Sequence, residues 1–204
     1  MHLTWLGNTA MKIQVKHLGQ DATVVIDPYK PKAGSFPRSL APNIGLYTRS
    51  EKNSITLSGN PFILSQAGEC ETSGVLITAA TGHEPDTIML RVDAEGISLG
   101  HPGLINKTPT NKQFDVLTGV DVLCLPVGHP DAFSPEAAMK VVSIVEPRII
   151  IPIAFKSDID PKAGTVDGFL KEMGVAKEKP ESKVIIKKKD LPQEETQVIV
   201  LAKE

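Results

Sequence analysis

The residues of this chain best suited to chemistry are five histidines, His2, His17, His83, His101 and His129, and two cysteines, Cys70 and Cys124. Imidazole ligates metals and moves protons near neutral pH, and a thiolate is an effective nucleophile. Spacing decides whether such groups act together. No two histidines stand at ligand spacing, and no HExxH motif, Walker A loop, GxGxxG turn or GxSxG elbow is present. The cysteines form no CxxC pair, and both lie beside apolar runs. That setting suits buried reduced thiols in a cytosolic protein better than a disulfide framework. Local motifs therefore supply neither a nucleophile with its base nor a metal site.

Bulk properties narrow the function further. A chain of 204 residues can bury one full core, so a single domain over 1–204 is expected. The 22 Lys and Arg against 24 Asp and Glu leave a net charge of −2, with no clustered basic excess of the kind that neutralises phosphates. Aromatic residues make up 4% of the chain, too few for base-stacking platforms, and no nucleic-acid partner is expected. The one basic run, Lys187-Lys188-Lys189, follows Val184-Ile185-Ile186 and reads as the solvated end of an edge strand. The chain opens on an alternating strand pattern with no basic segment leading into an apolar one. No apolar run approaches the roughly 18 residues that span a bilayer. A cytoplasmic protein without a membrane partner is expected.

The elements that must position any site are legible from periodicity. Met11 to Lys16 alternates as a half-buried strand should, flanked by strands at His2–Leu6 and Ala22–Ile26. A loop from Pro28 to Pro42 precedes a short strand at Ile44–Tyr47. Further strands are predicted at Pro61–Leu64, Val75–Thr78, Thr87–Val92 and Gly96–Leu99, with Asp93-Ala94-Glu95-Gly96 as a hairpin turn. Val120–Pro126 and Arg148–Ile153 are continuous apolar runs, the pattern of strands covered on both faces. Between them lies a helix that Ser134 caps, Pro135 starts and Pro147 ends, with Ala137, Ala138, Val141, Val142 and Val145 as its buried stripe. Shorter helices are predicted at Asn111–Leu117 and at Val166–Met173, stopped by Gly174, and closing strands at Val184–Ile186 and Gln197–Leu201. The fold class is α/β or α+β, a sandwich, and pattern alone does not choose between them.

An ordered series of short segments resembles one branch of the metallo-β-lactamase superfamily, the Zn-dependent hydrolase-like proteins. His2-Leu3-Thr4-Trp5-Leu6-Gly7-Asn8-Thr9-Ala10 is similar to its opening strand and glycine turn, and Val24-Val25-Ile26-Asp27-Pro28-Tyr29 to its strand ending in Asp-Pro-aromatic. Gly68-Glu69-Cys70-Glu71 matches a Gly-Glu-Tyr-Glu segment with Cys for Tyr, and Gly96 to Gly103 resembles the strand that ends in His-Leu-Gly-Asp. Asp121 to Gly128 and Glu146 to Phe155 resemble the branch's two buried strands, and Phe169 to Gly174 and Leu191-Pro192 fit its closing segments. The series covers nearly the whole chain and implies a four-layer αββα sandwich.

The resemblance also implies a metal site, and there the residues depart from it. Members hold one or two metals between the sheets, using neutral imidazoles and carboxylates and leaving a position open for water. The His-x-His-x-Asp-His cluster falls on Thr48-Arg49-Ser50-Glu51-Lys52-Asn53-Ser54, which places Arg49 and Glu51 at the first two histidines, and Asn53 and Ser54 at the Asp and third His. The bridging Asp corresponds to Leu104 and the last His to Ala154. His83 stands near the place of a separate later histidine, though its plainer reading is an exposed loop residue. Arginine offers no electron pair and repels a cation, and leucine and alanine carry no ligating atom. Loss of even the groups that orient a metal's ligands costs roughly 10–100-fold, so no metal and no cofactor is expected, the ancestral zinc having been lost. Arg49 and Glu51 are expected to pair and fill the vacated cleft, the alternative being that both point into water. His101 is retained from the pattern and reads as a hydrogen-bonded structural histidine; His129 belongs to a surface loop, and Asp27 to a turn that orients the neighbouring loop.

Three functions follow, in this order. The first is a catalytically inactive protein on a metallo-hydrolase fold that binds or scaffolds an unknown small molecule or protein. The second is a metal-dependent hydrolase with a site rebuilt from His83, His101, Glu51 and one of Asp27 or His129. The third is a metal-free site where Arg49 and nearby lysines hold a small anion, a role that suits a guanidinium.

Overall fold

The alternating segments become two sheets packed face to face in the computed structural model, which describes residues 1–204. The first third supplies β1 (His2–Gly7), β2 (Ala10–His17), β3 (Gln20–Ile26), β4 (Ser39–Leu40), β5 (Ile44–Leu46), β6 (Thr56–Leu57) and β7 (Phe62–Leu64). β8 (Gly68–Thr72), β9 (Val75–Thr81), β10 (Ile88–Ala94) and β11 (Ile97–His101) come next. Then follow α1 (Asn111–Leu117), β12 (Val122–Pro126), α2 (Pro135–Val145), β13 (Ile149–Ile153), α3 (Asp167–Glu172), β14 (Val184–Ile185) and β15 (Gln197–Val198). The first sheet has the order β14-β1-β2-β3-β5-β7 and the second β15-β13-β12-β11-β10-β9-β8; β4 and β6 form a small separate pair. No helix is long and apolar enough to cross a membrane.

Burial follows the sequence pattern. Met11, Ile13 and Val15 of β2 point into the core while Gln14 and Lys16 face water. Every residue of β12 and β13 is buried, because the other sheet covers one face and helices the other. One apolar cluster runs through both sheets and the buried stripe of α2, Ala138, Val141, Val142 and Val145. Each large side chain it removes from water contributes roughly 1.5–3 kcal/mol before entropy is counted. The cap on α2 forms as predicted: Ser134 Oγ accepts a hydrogen bond from the Ala137 amide at 3.2 Å, and the helix ends on left-handed Glu146 before Pro147. The predicted β10–β11 hairpin closes through Glu95 and Gly96, both at positive φ, as a two-residue turn needs.

On the outer face of the first sheet, Leu6, Ala10 and Val25 are covered by Phe36 and Leu40 of the segment after β3. Two details differ from the sequence reading. Cys124 is fully buried but Cys70, on edge strand β8, is only half-buried, because an edge strand has a neighbour on one side alone. The run Lys187–Lys189 is not a strand end. It begins a short three-ten turn that folds Lys188 Nζ to 3.2 Å from Asp121 Oδ2.

The strand directions decide where a site can form. β3 and β5 run parallel, as do β11, β12 and β13, and β9 runs the same way as β11 because both are antiparallel to β10. The loops after β9, β11, β12 and β13 therefore emerge along one edge of the second sheet, and those after β3 and β5 along one edge of the first. The two edges meet where the Ile88 amide donates to the Thr48 carbonyl at 2.8 Å.

Candidate functional site

Asp27, at the end of β3, is almost completely buried and left-handed (φ 51°). Its two oxygens accept from the Thr48 amide at 2.7 Å and the Thr48 hydroxyl at 2.6 Å. The carboxylate thus fixes the second residue after β5 and orients everything that follows. Two residues on, the Tyr29 phenol donates to the Arg49 carbonyl at 2.9 Å and accepts from the Arg49 amide at 3.1 Å. Burial, with help from the Asp27 charge, pushes the Tyr29 pKa up, so the phenol stays neutral.

His101, at the end of β11, is completely buried. Its Nε2 lies 2.9 Å from the Thr9 carbonyl, which can only accept, and its Nδ1 lies 3.2 Å from the Gly103 amide, which can only donate. The ring is therefore neutral, with its proton on Nε2. Burial lowers its pKa from 6.5, in keeping with that form. Gly103 is left-handed and so close to Thr48 that an added Cβ would fall 2.8 Å from the Thr48 hydroxyl. Asp27, Thr48, Gly103, His101 and Thr9 form one packed polar chain from sheet to sheet.

Around this chain the residues at the implied ligand positions separate. Arg49, His83 and Leu104 share the wall of a cleft of about 420 Å³ with Thr48, Ile88 and Lys107. His83 is half-buried, its Nε2 at 3.1 Å from the Thr108 carbonyl. Glu51 points elsewhere, accepting from Ser65 Oγ at 2.9 Å. The expected Arg49–Glu51 pair does not form. The Arg49 guanidinium instead lies over the Tyr29 ring, 4.4 Å from its centroid, where the face of a neutral phenol attracts a cation. Asn53 is exposed and left-handed, its carbonyl accepting from the Lys30 amide at 2.7 Å. Ser54 pairs with Tyr29 in an isolated bridge.

The last implied position, Ala154, and the candidate His129 both lie near the β1–β2 turn. Ala154 is fully buried at φ 58°, and its amide donates to the Asn8 carbonyl at 2.9 Å. His129 Nδ1 accepts from the Asp131 amide at 3.0 Å, which leaves Nε2 to face Asp160 Oδ2 at 3.7 Å. Asn8 Nδ2 donates to the same Asp160 oxygen at 3.2 Å. The set His83, His101, Glu51, Asp27 and His129 does not converge, and nowhere do three His, Cys, Asp or Glu side chains stand together as a metal site. The rebuilt-site reading required convergence; each of these donors faces its own partner instead.

Sequence reasoning missed Tyr29, Thr48 and Thr9, which act through backbone geometry that no motif encodes. It also missed a local charge excess. Residues 28–60 hold five cations, Lys30, Lys32, Arg38, Arg49 and Lys52, against one carboxylate, Glu51, a balance the chain-wide −2 conceals. A larger cavity of about 690 Å³ opens at the opposite end of the second sheet. Its Arg91, Arg148 and Lys188 are already matched by Asp93 and Asp121, so its charges are spent within the protein.

A family model described as a beta-lactamase superfamily domain matches residues 2–154. Among solved structures, a protein from Thermotoga maritima assigned to the Zn-dependent hydrolases of the metallo-β-lactamase superfamily is similar, with TM-score 0.79 and 23% identity over 99% of this chain and 100% of that one. A metallo hydrolase from the archaeon Ignicoccus hospitalis matches with TM-score 0.64 and 14% identity over 90% of this chain and 97% of its own. A protein from Parabacteroides distasonis assigned as a metal-dependent hydrolase matches with TM-score 0.57 and 17% identity over 85% and 89%. At such identities the likeness concerns the fold. No curated protein matches the chain.

Proposed function

This chain belongs to the beta-lactamase superfamily domain family, and on that premise we propose that it binds a ligand in the cytoplasm without hydrolysing it. The observation that carries the reading is the donor set as a whole, and a rebuilt site would have to draw on His101. A metal ligand needs a free electron pair, and this imidazole has one nitrogen protonated toward Thr9 and the other accepting from Gly103. Asp27 holds the Thr48 amide and hydroxyl, one with each oxygen, and so serves to orient the loop. The positions that would complete a centre carry Arg49, Leu104 and Ala154, none of which offers a lone pair. The donor set does not fit the metals that the fold's hydrolases hold, and the binding role needs none.

The cleft beside Arg49, His83 and Leu104 is then a place to bind. Its polar rim and its Ile88 and Leu104 walls suit a small molecule better than water alone. Elemental analysis of protein purified without chelator tests the reading. Zinc, manganese and iron far below one ion per chain are expected; stoichiometric metal would refute it and return the rebuilt hydrolase.

A further inference from the structure

The segment that covers the outer face of the first sheet does more than shield apolar side chains. Between its residues 30–38 and residues 54–56 lies a cavity of about 450 Å³ walled by Lys30, Phe36, Arg38, Ser54 and Ile55, with no carboxylate in its lining. A second, smaller cavity shares Lys30 and Phe36 with it and reaches Arg49. The single carboxylate there, Asp27, is almost completely buried and accepts from Thr48 with each oxygen.

Eight of the other 19 Lys and Arg residues fold onto acids, among them Lys12 onto Glu204, Arg91 onto Asp93, Lys107 onto Glu84 and Lys203 onto Asp158. Lys30, Arg38 and Arg49 have no carboxylate partner, although Glu51 lies only two residues from Arg49. The stack on Tyr29 holds the Arg49 guanidinium in place. Ser54 adds a buried hydroxyl that lies near the Tyr47 phenol in a geometry that makes no hydrogen bond.

We propose that these neighbouring cavities, which share Lys30, Pro31 and Phe36 in their walls, bind a small molecule through a phosphate group, with Lys30, Arg38 and Arg49 as its counter-charges. Two guanidinium forks and an ammonium match a group with several oxygens and more than one negative charge better than a single carboxylate. The volume is that of a small-molecule pocket, and Phe36 and Ile55 give the apolar wall such ligands pack against. The site is separate from the cleft beside His83 and Leu104, sharing only Arg49 with it, so the inference goes beyond the binding role above. Stoichiometric metal in the protein would refute that role without touching this site, and a silent titration would refute this site without touching that role.

Calorimetric titration of the chelator-treated protein with pyrophosphate, at fixed ionic strength, is the test. Saturable binding is expected, weakened by about tenfold or more in Lys30→Gln/Arg38→Gln, since losing even one charged hydrogen bond is worth about that factor. Lys140→Gln, a single charge removed from exposed α2, should leave it intact. Lys30 and Arg38 are exposed, so the double variant is expected to keep the parent's thermal unfolding curve. Absence of saturable binding, an unchanged affinity in the double variant, citrate binding as tightly as pyrophosphate, or a single-stranded oligonucleotide binding more tightly than either would each overturn the proposal.

Discussion

Asp27 holds Thr48 by two hydrogen bonds, one to the amide at 2.7 Å and one to the hydroxyl at 2.6 Å, and neither residue is more than a few per cent exposed. The pair joins the end of β3 to the loop that carries Arg49. Removing one partner strands the other in a dry site. Thr48→Val should destabilise the protein by about 1.5–3 kcal/mol, the range for a lost hydrogen bond to a charged group. Asp27→Asn, which tolerates the left-handed backbone, should cost less. Urea unfolding of both variants gives the comparison; a Thr48→Val curve that overlays the parent would mean that the pair does not hold the loop.

His101 makes stability depend on pH with a definite sign. Its folded-state pKa lies below 6.5 because burial disfavours the cation. Below pH 6.5 the unfolded chain takes up the proton first, so this contribution is complete above 6.5 and is lost as pH falls toward the lower folded value. One proton changes stability by at most about 1.4 kcal/mol per pH unit. Unfolding measured from pH 8 to 5 should show that slope in the parent and a shallower one in His101→Gln. Equal slopes would assign the dependence to other groups.

Arg49 and Glu51 are two residues apart yet answer to different partners, Tyr29 and Ser65. In a double-mutant cycle, Arg49→Ala and Glu51→Ala should therefore add within about 0.3–0.5 kcal/mol. A coupling well beyond that range, weakening with salt, would restore the ion pair that the sequence suggested.

Ala154 sits at φ 58° with no exposed surface. A left-handed backbone costs a residue with a Cβ roughly 1–2 kcal/mol, and glycine escapes it at an entropic cost of about 0.5–1 kcal/mol. Ala154→Gly should raise stability by up to about 1.5 kcal/mol in thermal unfolding, the difference between those two costs. A lower melting temperature would show that the methyl group packs more than the backbone strains.

The fold was legible because burial writes a period into the chain. The alternation in β2, the unbroken apolar runs of β12 and β13 and the cap and stop of α2 each follow from which face meets water. Strand β8 was visible only through the resemblance of Gly68-Glu69-Cys70-Glu71 to a known segment, for a part-exposed edge strand leaves a weak burial pattern. At the site, the sequence by itself determined which atoms are absent: no arrangement of the chain gives Leu104 or Ala154 a side-chain lone pair. What only the tertiary structure decided is where the remaining polar groups spend theirs. His101 could have faced a cleft or a carbonyl, Arg49 a carboxylate or a ring, and Lys30 and Arg38 are remote from Arg49 along the chain. Hydrogen bonds and charges act over a few ångströms in space, and separation along the chain does not encode that distance.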